Sequence, residues 1–251
     1  MSQLQRDRHD QVTLVTLNRP EKRNALSNAM LEALVDAVDD AASDGGTRVL
    51  VIAGAGSAWC AGVDLDELAS GIRTDRAELA AARLRGFPKP TVAAIHGACV
   101  TGGLELALAC DLRLATPEAR FADTHSRVGA HPGWGMTVTL PRAVGISLAN
   151  DMAFTGDYID AEAALRCGLV SRVLPQEGFL DAVLAIASGI AAADPRLVAS
   201  LKALANDLHF AAGYAREAEA RRLYKESTNA GAIAQRRAEV IERGRRQLRS
   251  K

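Results

Sequence analysis

The sequence lacks any imbalance of charge: 30 Lys and Arg stand against 30 Asp and Glu. Non-specific attraction to nucleic acid or to an anionic membrane is therefore disfavoured for the chain as a whole. Cysteine is scarce. The four residues Cys60, Cys99, Cys110 and Cys167 contain no C-x-x-C pair, and a chain of 251 residues needs no disulfide framework. They read as reduced thiols filling the core. Long apolar runs are missing too. The most apolar stretch, Val92 to Ala109, is interrupted by His96, Gly97, Thr101, Gly102, Gly103 and Glu105, so it is not a membrane span. Met1 to Gln11 is polar and charged, without the apolar region of a secretory signal, and a cytoplasmic location is expected. No Walker sequence and no Gly-x-Ser-x-Gly elbow occur. Gly54-Ala55-Gly56 begins a dinucleotide fingerprint, but Trp59 stands where its third glycine belongs. His125 and His131 lack the spacing of a helical zinc pair, and no metal site is expected.

What is present is an ordinary globular composition, 48% hydrophobic and 24% charged, with ample chain for a sizeable core. Val12 to Leu17 reads as a strand ending at the turn Asn18-Arg19-Pro20. Ser27 caps a helix whose Leu31, Leu34, Val35 and Val38 form one buried face, stopped by Gly45-Gly46. Arg48 to Ala53 and Thr91 to Ile95 are continuous apolar runs, as strands buried on both faces require. Helices are predicted over Asp64 to Ser70, Asp75 to Arg85 and Leu104 to Ala109, and a further strand over Asp111 to Ala115. The alternation argues an α/β domain. After Pro141 the pattern turns helical. Asp160 caps Ala161 to Cys167 ahead of Gly168, and amphipathic segments follow over Glu177 to Ala193, Pro195 to Asn206 and Tyr214 to Gln247, the last broken near Gly231. Arg216 to Lys251 carries 11 basic and 5 acidic residues, which read as solvated tail helices or as groups meeting phosphates or a neighbouring subunit.

Two loops follow buried strands: Ser57-Ala58-Trp59-Cys60-Ala61-Gly62-Val63-Asp64-Leu65 and His96-Gly97-Ala98-Cys99-Val100-Thr101-Gly102-Gly103-Leu104-Glu105-Leu106. Their small residues let a ligand approach the backbone. A helix starting at Gly102-Gly103 aims unpaired N–H groups and the positive end of its dipole at whatever sits there. One N–H from each loop makes a two-donor oxyanion hole for a carbonyl oxygen. Glu105, one turn into that helix, can reach the carbons beside the carbonyl. Each piece alone is commonplace, since Gly-Gly is usually a turn and acids are common in a first helical turn.

In combination they resemble the enoyl-CoA hydratase (crotonase) family, along most of the chain and in family order. The matching pieces are Leu17 to Leu26, Cys60 to Leu65, Pro88-Lys89-Pro90, and Gly102-Gly103-Leu104-Glu105-Leu106-Ala107 leading to Cys110-Asp111. Then come Ala119-Arg120-Phe121, Gly129, Pro132-Gly133, Leu140-Pro141-Arg142, Thr155-Gly156 and the block from Asp160 to Val170. The resemblance implies an α/β crotonase fold, a spiral of β-β-α units over residues 1–195. Residues 196–251 would form a C-terminal helical region for trimerisation and for covering the site. It implies a homotrimer or dimer of trimers. It implies oxyanion donors at Ala61 and Gly102 and a CoA site lined by Lys22, Arg23, Ala25, Ala61, Asp64 and Leu65. Glu105 matches the first of two glutamates with which hydratases activate water. No cofactor is implied, as CoA arrives with the acyl-CoA substrate. No membrane or nucleic-acid partner is implied.

The second glutamate is absent. The local sequence is Phe121-Ala122-Asp123-Thr124-His125, with His125 at the matching position. Three readings follow. His125 or nearby Asp123 substitutes as proton donor in a hydratase, histidine being suited to acid–base work near neutral pH. Alternatively Glu105 acts alone, as in double-bond migration. The third is a protein that binds acyl-CoA without turning it over. His131 and Trp134 sit in the adjacent loop, where they shape an acyl pocket or simply pack.

Overall fold

The computed structural model describes residues 2–70, 74–205, 211–227 and 241–246. Its centre is a six-stranded sheet in the order β1-β2-β3-β4-β6-β9. These strands are β1 (Leu4–His9), β2 (Val12–Leu17), β3 (Val49–Gly54), β4 (Thr91–Ile95), β6 (Leu112–Ala115) and β9 (Arg172–Val173). All neighbours run parallel except the β1–β2 hairpin. A second sheet, β5-β7-β8, is built from β5 (Ala98–Val100), β7 (Arg120–Ala122) and β8 (Ile159–Asp160).

The link between the sheets is repetitive. After β4 the chain turns at Gly97 straight into β5, and after β6 it passes to β7. After β3 it reaches Cys60, which forms a single parallel bridge with Cys99. Each unit thus gives one strand to the large sheet, a short stretch beyond it and then a helix, the β-β-α spiral that the family resemblance implies.

Both faces of the large sheet are covered, which is why its central strands are continuously apolar. Leu50, Ile52, Ala93 and Ile95 face a core shared with helices α1 (Asn28–Ser43), α3 (Thr74–Arg85) and α4 (Gly102–Leu108). Val49, Val51, Ala53, Val92 and Ala94 point the other way, onto Phe179, Val183, Ala187 and Ala191 of α9 (Phe179–Ala191). Among the described residues, no single helix is long and apolar enough to cross a membrane. Cys60, Cys99 and Cys110 are free and buried, and burial pushes the Cys60 and Cys110 thiols up to about 12.

The predicted helix caps fall in place. The Ser27 hydroxyl accepts the Met30 N–H at 3.1 Å, and the Asp160 carboxylate accepts that of Ala163 at 2.8 Å ahead of α8 (Ala161–Arg166). One boundary differs. Helicity resumes before Pro141, in α6 (Met136–Val144), and α7 (Ile146–Thr155) follows. Pro141 lies inside α6, at its sixth position, where it has no N–H to give the Thr137 carbonyl one turn back. Helix α10 (Pro195–Ala205) is pinned by Lys202, which pairs with Asp111 at 2.8 Å. Helix α11 (Ala211–Ser227) packs on α6. The break expected near Gly231 lies outside the described residues.

Candidate active site

The two small-residue loops run side by side. Beyond the Cys60–Cys99 bridge, the Cys60 N–H donates to Ala98 O at 3.0 Å and the Val100 N–H donates to Cys60 O at 3.1 Å. Close approach is enforced sterically. A Cβ on Gly103 would lie 2.6 Å from Cys60 O, and one on Gly102 would lie 2.5 Å from the Trp134 ring and 3.2 Å from Val63 Cγ2. Thr101, the residue that launches α4, has φ +52° and ψ −111°, a backbone conformation that costs a β-branched residue of order 1–3 kcal/mol. It is held there by its N–H on Ala122 O at 2.9 Å and its hydroxyl on Thr124 Oγ1 at 2.5 Å.

The expected second oxyanion donor needs correction. The Ala61 N–H is committed to Arg23 O at 3.0 Å. Two residues on, Leu26 donates to Gly62 O at 2.8 Å and accepts from Asp64 N–H at 3.0 Å. A bridge of that type turns the N–H of the intervening Val63 away from residue 26. Among the described residues the Val63 N–H has no hydrogen-bond partner, and neither does that of Gly102, the first residue of α4. Val63 and Gly102 are thus available as a pair of donors, one from each loop; the adjacent Gly62 and Gly103 N–H groups are likewise without a partner among the described residues.

The segments expected to receive CoA do meet. Lys22 to Ala25 lies along Ala61 to Leu65 through the Ala61–Arg23 and Leu26–Gly62 bonds. Asn24, fully buried, ties this ledge to the loop before it, donating to Ala55 O at 2.8 Å and Ala58 O at 2.7 Å. Lys22 is exposed and pairs loosely with Asp66 at 3.5 Å. Leu65 opens α2 (Leu65–Ser70). Asp64 departs from expectation. Its carboxylate is buried, pairs with Arg19 at 2.6 Å and accepts the Asp66 N–H at 2.9 Å. Burial alone would raise its pKa, but Arg19 and the N–H donors hold it below the usual carboxylate range. It props the ledge from beneath instead of lining it.

Glu105 and His125 come together. Glu105 is 2% exposed, and its Oε1 accepts N–H groups of Trp134 at 2.9 Å, Met136 at 3.3 Å and Gly133 at 3.4 Å. Its other oxygen, Oε2, lies 3.5 Å from His125 Nε2. His125 opens α5 (His125–Val128), and its Nδ1 lies 2.7 Å from Asp123 Oδ1. Burial would lower the His125 pKa, but the flanking Asp123 and Glu105 carboxylates prevail and push it up to about 10. The two flanking carboxyl groups thus favour the protonated ring. Asp123, the other candidate proton donor, sits behind the ring and holds it; burial opposes its ionisation, but His125 keeps its carboxyl below the usual range. Trp134 walls the start of α4. His131 Nδ1 instead lies 2.7 Å from Pro132 O.

Sequence reasoning did not single out the Val63 N–H or the loop N–H groups that hold Glu105. Backbone donors leave no side-chain signature. Glu217, whose carboxylate meets the same loop, was also missed.

Comparison with known proteins gives the family and the fold. The sequence profile described as Enoyl-CoA hydratase/isomerase matches residues 7–246, so the chain belongs to the enoyl-CoA hydratase/isomerase family. It is 40% identical to the 2,3-dehydroadipyl-CoA hydratase of Escherichia coli (strain K12), over 80% of this chain and 81% of that one. It is 38% identical to the mitochondrial Delta(3,5)-Delta(2,4)-dienoyl-CoA isomerase of Pongo abelii, over 76% of this chain and 64% of that one. Among solved structures, an enoyl-CoA hydratase from Mycobacterium tuberculosis H37Rv is similar with a TM-score of 0.83 and 42% identity, covering 89% of this chain and 99% of that one. The fold is therefore the crotonase fold of these enzymes.

Proposed function

We propose that this family member is an enoyl-CoA hydratase in which a Glu–His pair replaces two glutamates. The observation that carries this reading is the Glu105–His125 pair together with the Val63 and Gly102 N–H groups, which have no hydrogen-bond partner among the described residues. The thioester oxygen accepts from Val63 and Gly102. As water adds to the β-carbon, charge accumulates on that oxygen, and losing one such donor typically costs about 3 kcal/mol. Glu105 takes a proton from the attacking water. The His125 imidazolium gives its Nε2 proton to the α-carbon. One C–O and one C–H bond form, and the protonated Glu105 then returns its proton to His125 across their contact, restoring the starting state. The CoA portion lies along the ledge of Lys22, Arg23, Ala25, Ala61 and Leu65. No metal or further cofactor takes part.

A second reading is double-bond migration, with Glu105 shuttling one proton between carbons. The tight hold of two carboxylates on the His125 proton favours it, because a strongly held proton is a poor donor. Incubation with crotonyl-CoA and a long-chain 2-enoyl-CoA, using wild type, Glu105→Gln and His125→Ala, tests the choice. Hydration lost in both variants with thioester binding retained supports the hydratase. A wild type that binds both thioesters without hydrating either overturns it, and product analysis with a 3-enoyl-CoA then tests migration.

Self-association is part of the proposal. Leu197, Leu201 and Leu204 form an exposed stripe along α10, each at least 58% exposed. Their spacing suits packing against another copy. Sedimentation should give a trimer or hexamer, and a monomer at micromolar concentration would remove this part.

A further inference from the structure

The loop that carries Trp134 serves two buried carboxylates at once. The N–H groups of Gly133, Trp134 and Met136 point to Glu105 Oε1. Those between and beyond them, Gly135 and Thr137, point to the two oxygens of Glu217, each at 2.6 Å. The Thr137 hydroxyl also donates to Glu217. Five consecutive residues thus divide their N–H groups between one acid on α4 and another on α11.

Glu217 is 4% exposed, and no ion-pair partner for it is found among the described residues. Its charge is balanced by the N–H groups and by the positive end of α6, which begins at Met136. Its neighbours on the same stripe of α11 meet the same loop. The Arg221 stem lies where a Cβ on Gly133 would sit, 2.1 Å from its Cδ. The Tyr214 ring borders Gly135 and lies 4.4 Å under the Arg85 guanidinium, which donates to Trp134 O. Residues 214, 217 and 221 share the spacing of one helical face.

We propose that Glu217 is a positioning residue for Glu105: by fixing the register of residues 133–137 from the far side, it sets where the Glu105 carboxylate stands against substrate. Shifting the loop by one N–H hands Glu105 a different set of donors and moves its carboxylate. Reaction rates are sensitive to such displacements, with roughly 10²-fold lost for a 1 Å misplacement. The CoA ledge lies on other elements and is not touched.

This rests on the enoyl-CoA turnover proposed above, and the test separates the two. Wild type, Glu217→Ala, Glu217→Gln and the exposed control Glu219→Gln are compared with crotonyl-CoA, alongside residue-resolved amide exchange at Trp134 and Met136. The expected result for Glu217→Ala is a kcat lower by roughly 10²-fold with KM changed less than about threefold. Exchange at Trp134 and Met136, neither bonded to Glu217, should accelerate. Glu217→Gln keeps one of two acceptors and should fall between, while Glu219→Gln matches wild type. Should the alanine variant fail to fold, the isosteric glutamine variant decides by the same measures. Unchanged kcat, or equal losses in kcat and substrate affinity, overturns the positioning role. If wild type turns over no enoyl thioester, the hydratase reading fails, and exchange alone decides: unchanged rates at Trp134 and Met136 overturn the proposal.

Discussion

Replacing Asp123 by Asn should lower the pH at which His125 gives up its proton. In the native protein that pKa stands at about 10 against an ordinary 6.5. Two carboxylates hold the ring, Asp123 at 2.7 Å and Glu105 at 3.5 Å. Both carboxyl groups contribute to the rise, so removing the shorter contact should return on the order of 1 pH unit, about 1.4 kcal/mol of differential interaction. The direction of the stability change follows from the raised value. The folded state binds the proton more tightly, so the stabilisation is fully present below about 6.5 and is lost as pH rises through about 10. Asp123→Asn should therefore cost stability at neutral pH and much less at high pH. Imidazole NMR signals followed through a pH titration measure the midpoint directly. The pH dependence of kcat gives a second reading, because the alkaline limb should move toward neutrality with the ring. A wild-type midpoint near 6.5, or an alkaline limb indifferent to the substitution, would refute the account of His125 as a held imidazolium.

Three other outcomes are expected. Glu105→Gln should lower kcat by roughly 10²- to 10⁴-fold, as loss of a general base does, with the circular dichroism of the fold preserved; activity within threefold of wild type removes Glu105 from the chemistry. Gly102→Ala places a methyl 2.5 Å from the Trp134 ring, so the start of α4 must shift and kcat should fall by roughly 10²-fold, whereas retained turnover means the donor lies elsewhere. Arg19→Ala strands the Asp64 carboxylate and should cost about 3–5 kcal/mol in denaturant unfolding. Because the Asp64 pKa is depressed, the wild-type advantage should persist above about 3.8 and vanish as pH falls through the lower folded value.

Much of the core scaffold could be read in the sequence because its burial pattern is regular. The helix from Ser27 and the central strands β3 and β4 carry periodicities that packing on one or both faces demands. Strand β1 could not be read: it lies at the sheet edge, five of its six residues are exposed, and its sequence LQRDRH alternates nothing. Strands β8 and β9 are two residues each, too short for any period. At the site, Glu105 and His125 could be placed by motif, since side chains carry the signal. The Ala61 assignment failed because which N–H is free depends on the register of Leu26 against Gly62, a tertiary fact. Asp64 looks like a binding acid until Arg19, 45 residues earlier, is seen beside it. Glu217 meets its loop across 80 residues or more of intervening chain, and in sequence it is one acid among the charges of a tail helix.

The division of labour between backbone and side chains bears on how such a protein could change its chemistry. The groups proposed to hold the thioester oxygen are main-chain N–H donors, so most substitutions nearby leave them in place provided Gly102 and Gly103 stay small. The proton inventory, by contrast, resides in three side chains, Glu105, Asp123 and His125. Residue 125 is the one whose charge type sets the sum, from two carboxylates and an imidazolium here to three carboxylates if an acid stood in its place. A single codon at that position could therefore exchange a proton-rich site for a proton-poor one while the main-chain donors stay as they were.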